Sequence, residues 1–208
     1  MSFSIQLCME KLTSRSRVVN TVVYGMSGER LGPEEWVNAG LRALASSGFI
    51  ALKADTLAKT LGVSRGSFYW HFTDVGTFHA AVLQRWREIA LENIVAAIDK
   101  TPGDRLEALM HRAFSARSTL EVAIRAWAFA DANARAAVDA VDAERVRYIR
   151  KLLIEAGVAP EHAETRAQII NWTYLGHSLS PHKRGSDEVR SVIEILSRLA
   201  YGRMAARP

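Results

Sequence analysis

The sequence predicts an all-α chain, and three observations carry that prediction. From Gly32 onward, apolar residues recur at the i, i+3, i+4, i+7 spacing of one helix face. Glycine and proline punctuate the chain between those stretches. No segment alternates apolar and polar residues as a half-buried strand does, and no internal repeat is evident. About nine helices follow.

Residues 1–31 lack sustained periodicity and carry Lys11, Arg15, Arg17 and Arg30 against Glu10 and Glu29. Three readings stay open: a mobile tail, a basic arm lying along a nucleic-acid backbone, or a natural start at Met26. Pro33 suits a helix's first turn, Glu34 and Glu35 complement its dipole, and Val37, Gly40, Leu41 and Leu44 make its buried face before Gly48 stops it. A short helix follows over Ala54 to Leu61. Gly62-Val63 is a turn, and Ser64 is the N-cap of a third short helix carrying Phe68 and Phe72 inward. Asp74 caps a long helix with Val75, Phe78, Val82, Trp86 and Ile89 on its stripe. Beyond the Thr101-Pro102-Gly103 break, Leu106, Met110 and Phe114 form one stripe, Leu120, Ile124 and Trp127 another, and Val138, Val141, Tyr148 and Leu152 a third. Pro160 opens a helix to about Leu179, and the last runs from Asp187 to about Arg203.

The composition narrows the function classes. At 208 residues, 49% apolar and 24% charged, the chain can bury a core without staples and is not wholesale disordered. A lone Cys8 excludes an intramolecular disulfide framework and a cysteine zinc site. With no apolar run near 18 residues and no signal pattern, the expectation is a cytoplasmic protein without a membrane partner. No HExxH, GxSxG, P-loop or dinucleotide fingerprint is present, so no enzyme, cofactor or metal is expected. Asp139, Asp142 and Glu144 with Arg145 and Arg147 read as a solvated helical face of near-neighbour ion pairs. The net charge of +5 hints at nucleic acid only weakly. Placement says more: from Asn38 to Phe72, Arg42, Lys53, Lys59 and Arg65 oppose Asp55 alone.

The informative segment runs from Leu57 to Phe72. Two short helices joined by a glycine turn and braced by an earlier helix make a helix-turn-helix. Ala58 permits a close crossing, Gly62 supplies a positive φ, Val63 plugs the angle, and Leu57, Leu61, Phe68 and Phe72 close the core. Facing out are Ser64, Arg65, Gly66, Ser67, Tyr69, Trp70 and His71. Arginine can read guanine bidentately, serine can donate or accept, and tyrosine or histidine can reach phosphate. Gly66 lets the backbone approach a groove, while Trp70 either packs under the long helix or lies on a sugar-phosphate backbone.

Gly62-Val63-Ser64-Arg65-Gly66-Ser67-Phe68-Tyr69-Trp70-His71-Phe72, followed by Asp74 and Phe78, resembles the DNA-binding domain of the tetracycline-repressor (TetR) family of bacterial transcription regulators. The likeness is close over Val37 to Phe78. Beyond that it is one of layout: a motif near the N-terminus and six further helices. It implies a helix-turn-helix domain over 32–74 and a helical ligand-binding and dimerisation domain over 75–208. It also implies a homodimer on a near-palindromic double-stranded DNA operator, released by a small molecule. Many members place Ser or Thr before the second helix; this chain has Lys53, which cannot cap but can contact phosphate as a point charge.

In the C-terminal region, Met110, His111, Phe114, Trp127, Tyr148, Trp172, Tyr174 and His177 are aromatic and polar residues suited to line a pocket, or to fill a core. Ala163, Ala167, Ile170, Val192, Leu196 and Leu199 mark the apolar faces of the last two helices. They either complete the monomer's core or, as the resemblance implies, pair with a second copy in a four-helix bundle. Two other functions compete: a ligand-independent architectural DNA-binding dimer, and a helical partner-binding protein or enzyme with a vestigial helix-turn-helix.

Overall fold

A computed structural model describes residues 31–115, 119–180 and 185–202. The N-terminal readings for 1–30 lie outside the described residues. Nine helices and no strand are found among those that are described.

Helix α1 is Pro33–Ser47, with Pro33, Glu34 and Glu35 in its first turn. Gly48, at φ 74°, ends it and donates its N–H to Leu44 O. A 3-10 turn, Phe49–Ala51, leads to α2 (Ala54–Leu61) and α3 (Arg65–Tyr69). Helix α4 starts as Val75–Arg87, passes through one π-helical turn at Glu88–Glu92 and ends as Asn93–Ile98. Asp74 caps it, its carboxylate accepting the Thr77 N–H at 2.7 Å. There follow α5 (Arg105–Ser115), α6 (Thr119–Ala128), α7 (Ala132–Glu155), α8 (Pro160–Leu179) and α9 (Ser186–Tyr201).

Leu106, Met110, Phe114, Ile149, Leu153, Ala163, Ala167, Ile170, Ile193 and Leu196 pack into one core of α5, α7, α8 and α9. Four of the residues named for an interface between copies, Ala163, Ala167, Ile170 and Leu196, are therefore spent inside the monomer, at most 5% exposed. Small side chains let α8 sit closely on its own neighbours, so the apolar face that remains free is elsewhere. It comprises Trp172 and Leu179 on α8 with Ile195 and Leu199 on α9, all exposed; Val192 is half-buried. Arg166 locks the pair of helices together, donating to Ala200 O at 2.6 Å and Gly202 O at 2.7 Å and so satisfying carbonyls at the end of α9.

Asp142 and Arg145 depart from the solvated-face reading. Arg125 donates to both carboxylate oxygens of Asp142, at 2.9 and 2.6 Å, and to Glu121 at 2.8 Å. Arg145 forks onto Glu121 at 3.0 Å twice and reaches Ala90 O, in the π turn of α4, at 3.4 Å. Glu121 is 1% exposed. Burial alone would raise its pKa, but Arg145 and Arg125 outweigh that and hold it below the usual carboxylate range. The cluster is buried because α6 supplies a carboxylate and a guanidinium opposite the α7 residues. Glu144 and Arg147 do pair as neighbours on the outer face, and Asp139 is exposed.

Candidate nucleic-acid interface

The frame of the site is aromatic. Trp36, Phe68 and Phe78 are wholly buried and Phe72 nearly so. Phe68 sits at the hub, its ring 5.4 Å from Trp36, 5.2 Å from Phe72 and 5.3 Å from Phe78, two of the three contacts edge-on. Helix α3 has only five residues and too little length to be stable alone, so this hub is what holds it. Trp36 belongs to the same α1 face as Gly40 and Leu44, and that four-residue spacing is the signal by which the sequence could have shown it.

Close approach of α1 and α4 depends on Gly40, where an added Cβ would lie 2.7 Å from Phe78 Cζ and 3.1 Å from Val82 Cγ2. The turn depends on Gly62, at φ 70°. Gly62 donates to Lys59 O at 3.3 Å and Val63 to Ala58 O at 3.0 Å, closing the carbonyl end of α2. Leu57 and Ala58 are buried as the motif requires, whereas Leu61 is half-buried. Lys53 and Ser64 occupy the N-cap positions of α2 and α3 with extended backbone, and neither side chain makes a capping hydrogen bond. Both are exposed and free to meet phosphate.

On the outward face of α3, Arg65, Gly66, Tyr69 and Trp70 are exposed; Ser67 and His71 are half-buried. Trp70 is 87% exposed, so it does not pack under α4. Arg65 is held by two neighbours. It donates from Nη2 to the Tyr69 hydroxyl at 3.2 Å, and its Nε lies 3.3 Å from Asp55 Oδ1 on α2. The Tyr69 bond, and then the Asp55 charge, raise the Arg65 pKa above its ordinary value. A Cβ at Gly66 would meet only Ser64 Oγ, at an ordinary 3.7 Å, so the fold itself does not require glycine there. The arrangement presents a fixed cation, a hydroxyl and an indole from a rigid frame, with a bare stretch of backbone between them.

The family comparison agrees with this geometry. Residues 37–74 match the family model described as bacterial regulatory proteins, tetR family. The DNA-binding domain is a TetR domain. The chain thus carries a TetR-type DNA-binding domain near its N-terminus. No curated protein matches the chain in sequence. Its fold is similar to that of Escherichia coli NemR in the reduced form (TM-score 0.65, 20% identity, covering 85% of this chain and 99% of that one). It is also similar to a regulator from Saccharomonospora viridis in complex with choline (TM-score 0.63, 14% identity, 82% and 96% covered). A TetR-family member from Streptomyces coelicolor matches at TM-score 0.57 with 21% identity over 81% of this chain and 98% of that one.

The residues named for a ligand pocket fall in several places around the TetR domain and the helices beyond it. Phe114 gathers Tyr174 at 6.2 Å and His177 at 5.4 Å, with Met110 buried in the same core. Tyr148 instead donates to Asp99 at 2.8 Å, and His111 is exposed beside Glu107. Trp172 lines a cleft of about 620 Å³ between α7 and α8, together with Arg147, Arg150, Glu164 and Gln168. Trp127 lies next to the TetR domain: its ring stacks on Phe49 at 4.8 Å and meets the edge of His79 at 5.2 Å. His79 is hydrogen-bonded at 3.0 Å to Leu52 O, one residue before the N-cap of α2. Sequence reasoning missed both Phe49 and His79. No local motif marks them, because their partner is about fifty to eighty residues away.

Proposed function

We propose that the chain is a homodimeric repressor, working in the cytoplasm, that places α3 of each copy in a major groove of a near-palindromic operator and is released by a small molecule. The observation that carries this is the exposed face of α3, where Arg65, Tyr69 and Trp70 project from a buried aromatic hub. Ser64, Arg65, Gly66 and Ser67 open α3, the end that a helix-turn-helix directs at base edges; Lys53, Tyr69, Trp70 and His71 stand where phosphates flank the groove. A second copy covering Trp172 and Leu179 on α8 with Ile195 and Leu199 on α9 removes four exposed apolar side chains from water, which supports the dimer.

The ligand acts on the helices beyond the TetR domain, where Phe114, Tyr174 and His177 put a polar ring edge beside aromatic surface. Its leverage is the difference between its affinities for the free and the DNA-bound forms, and no more. Trp127 on Phe49 and α6 against α1 are the contacts through which such a preference reaches α2.

Titration of a duplex selected by the wild type tests the reading. Arg65→Ala is expected to lose about tenfold in affinity for that duplex while random-duplex binding largely survives, because a bidentate base contact carries discrimination and not bulk attraction. Equal losses on both duplexes contradict it.

A further inference from the structure

We infer that Asp55 is a specificity-determining positioning residue: from α2 it fixes the guanidinium of Arg65 so that the remaining N–H edge meets the base. This rests on the reading that α3 enters a major groove. An arginine at the start of α3, 61% exposed, has several side-chain torsions to lose on binding, and ordering them opposes affinity. Two neighbours order it in advance. Tyr69, one turn along α3, accepts from Nη2, and its ring lies 5.6 Å beneath the guanidinium carbon. Asp55, on the other helix of the motif, faces Nε at 3.3 Å.

A guanidinium has five N–H donors in one plane. With Nε turned toward Asp55 and one Nη2 proton on Tyr69, the Nη1 protons and the second Nη2 proton have no partner among the described residues. Nη1 thus keeps both its protons and Nη2 keeps one, donors enough for two bonds to one guanine.

Asp55 is an odd residue to find here unless it does this. It is 68% exposed, and it is the only acidic side chain between Asn38 and Phe72. On a surface meant for DNA, a carboxylate repels phosphate and weakens binding to any sequence. Its place in the first turn of α2 also favours the helix dipole, a benefit that falls on stability and not on base choice.

These contributions have opposite signs in a measurement. Replacing Asp55 with Asn keeps the shape and removes the charge. For a positioning residue, affinity for random duplex rises a fewfold through lost repulsion, while the ratio of selected to random duplex affinity falls about tenfold. The base preference that flattens should be the one that Arg65→Ala flattens, and adding D55N to R65A should change that ratio no further. Asp55→Glu, which restores the charge, should recover part of the ratio. Thermal melting of each variant separates a loss of fold from a loss of reading.

Two results overturn the inference. If D55N raises affinity for selected and random duplexes by the same factor, Asp55 merely repels DNA or competes with it for Arg65. If D55N lowers the ratio equally in the R65A background, it acts elsewhere than through Arg65. A wild type that selects no sequence at all is a different failure: it removes the groove-reading itself, and the role of Asp55 falls with it.

Discussion

Gly66 lies on the exposed face of α3, where an added Cβ meets nothing closer than Ser64 Oγ at 3.7 Å. Gly40, in contrast, lies under Phe78, whose ring tip would be 2.7 Å from an added Cβ. The same substitution should therefore divide stability from function. Gly66→Ala is expected to leave the melting temperature unchanged or raise it, since alanine stabilises a helix over glycine by about 0.5–1 kcal/mol, yet to weaken operator binding by crowding the groove. Gly40→Ala is expected to lower stability by about 1–3 kcal/mol as overpacking spreads α1 from α4. Denaturant melts paired with duplex titration check both, and a Gly66→Ala variant of full operator affinity would remove the backbone-approach role. The motif was legible at this scale because its constraints are local: Gly62 needs a positive φ, and Phe68 and Phe72 recur at helix spacing. Trp127 was not. Its aromatic character fits a pocket or a core equally well, and only the fold shows it stacked on Phe49.

Helix α4 connects the two parts of the chain, and its π turn at Glu88–Glu92 is where Arg145 touches it, at Ala90 O. A π turn shifts the helix to i→i+5 hydrogen bonds, and such turns are frequent at functional positions. The cluster of Glu121, Arg125, Asp142 and Arg145 thus ties α6 and α7 to the helix that carries the TetR domain. Removing the Glu121 charge leaves buried guanidiniums short of a partner, so Glu121→Gln is expected to cost about 3 kcal/mol. The pH dependence follows from the lowered pKa of Glu121. A carboxylate depressed in the folded state contributes fully above its unfolded pKa of about 4.3, and that contribution is lost as pH falls through the lower folded value. The stability gap between wild type and Glu121→Gln should be constant from about pH 5 to 7 and shrink in acid. Thermal melts across pH measure it, and a gap that widens in acid would contradict the ion-cluster account. Helix boundaries such as the end of Ala54–Leu61 follow from breakers in the sequence, here Gly62. The cluster does not, because its partners lie about twenty residues apart on helices whose relative rotation the sequence does not encode locally.

For the molecule as a whole, the exposed apolar residues of α8 and α9 are what support the proposed dimer. Trp172, 63% exposed, and Ile195, 64% exposed, stand on α8 and α9, while Ala163, Ala167 and Ile170 on the same pair face inward. Apolar residues stand on both sides of these helices, so the sequence pattern alone did not separate the side that completes the monomer's core from the side left exposed. A Trp172→Glu/Ile195→Glu variant is expected to sediment as a monomer with its helix content intact and to lose more than about tenfold in operator affinity, since linked half-site binding disappears. Sedimentation that still shows a dimer would place the interface elsewhere. All of this depends on the claim that α3 reads sequence in a major groove. The most direct test is selection by the wild-type protein from a pool of random duplex DNA. The expected result is enrichment of a near-palindromic site whose half-sites are a whole number of helical turns apart, with one guanine per half-site lost when Arg65→Ala is used instead. A pool that stays random after repeated selection would contradict it.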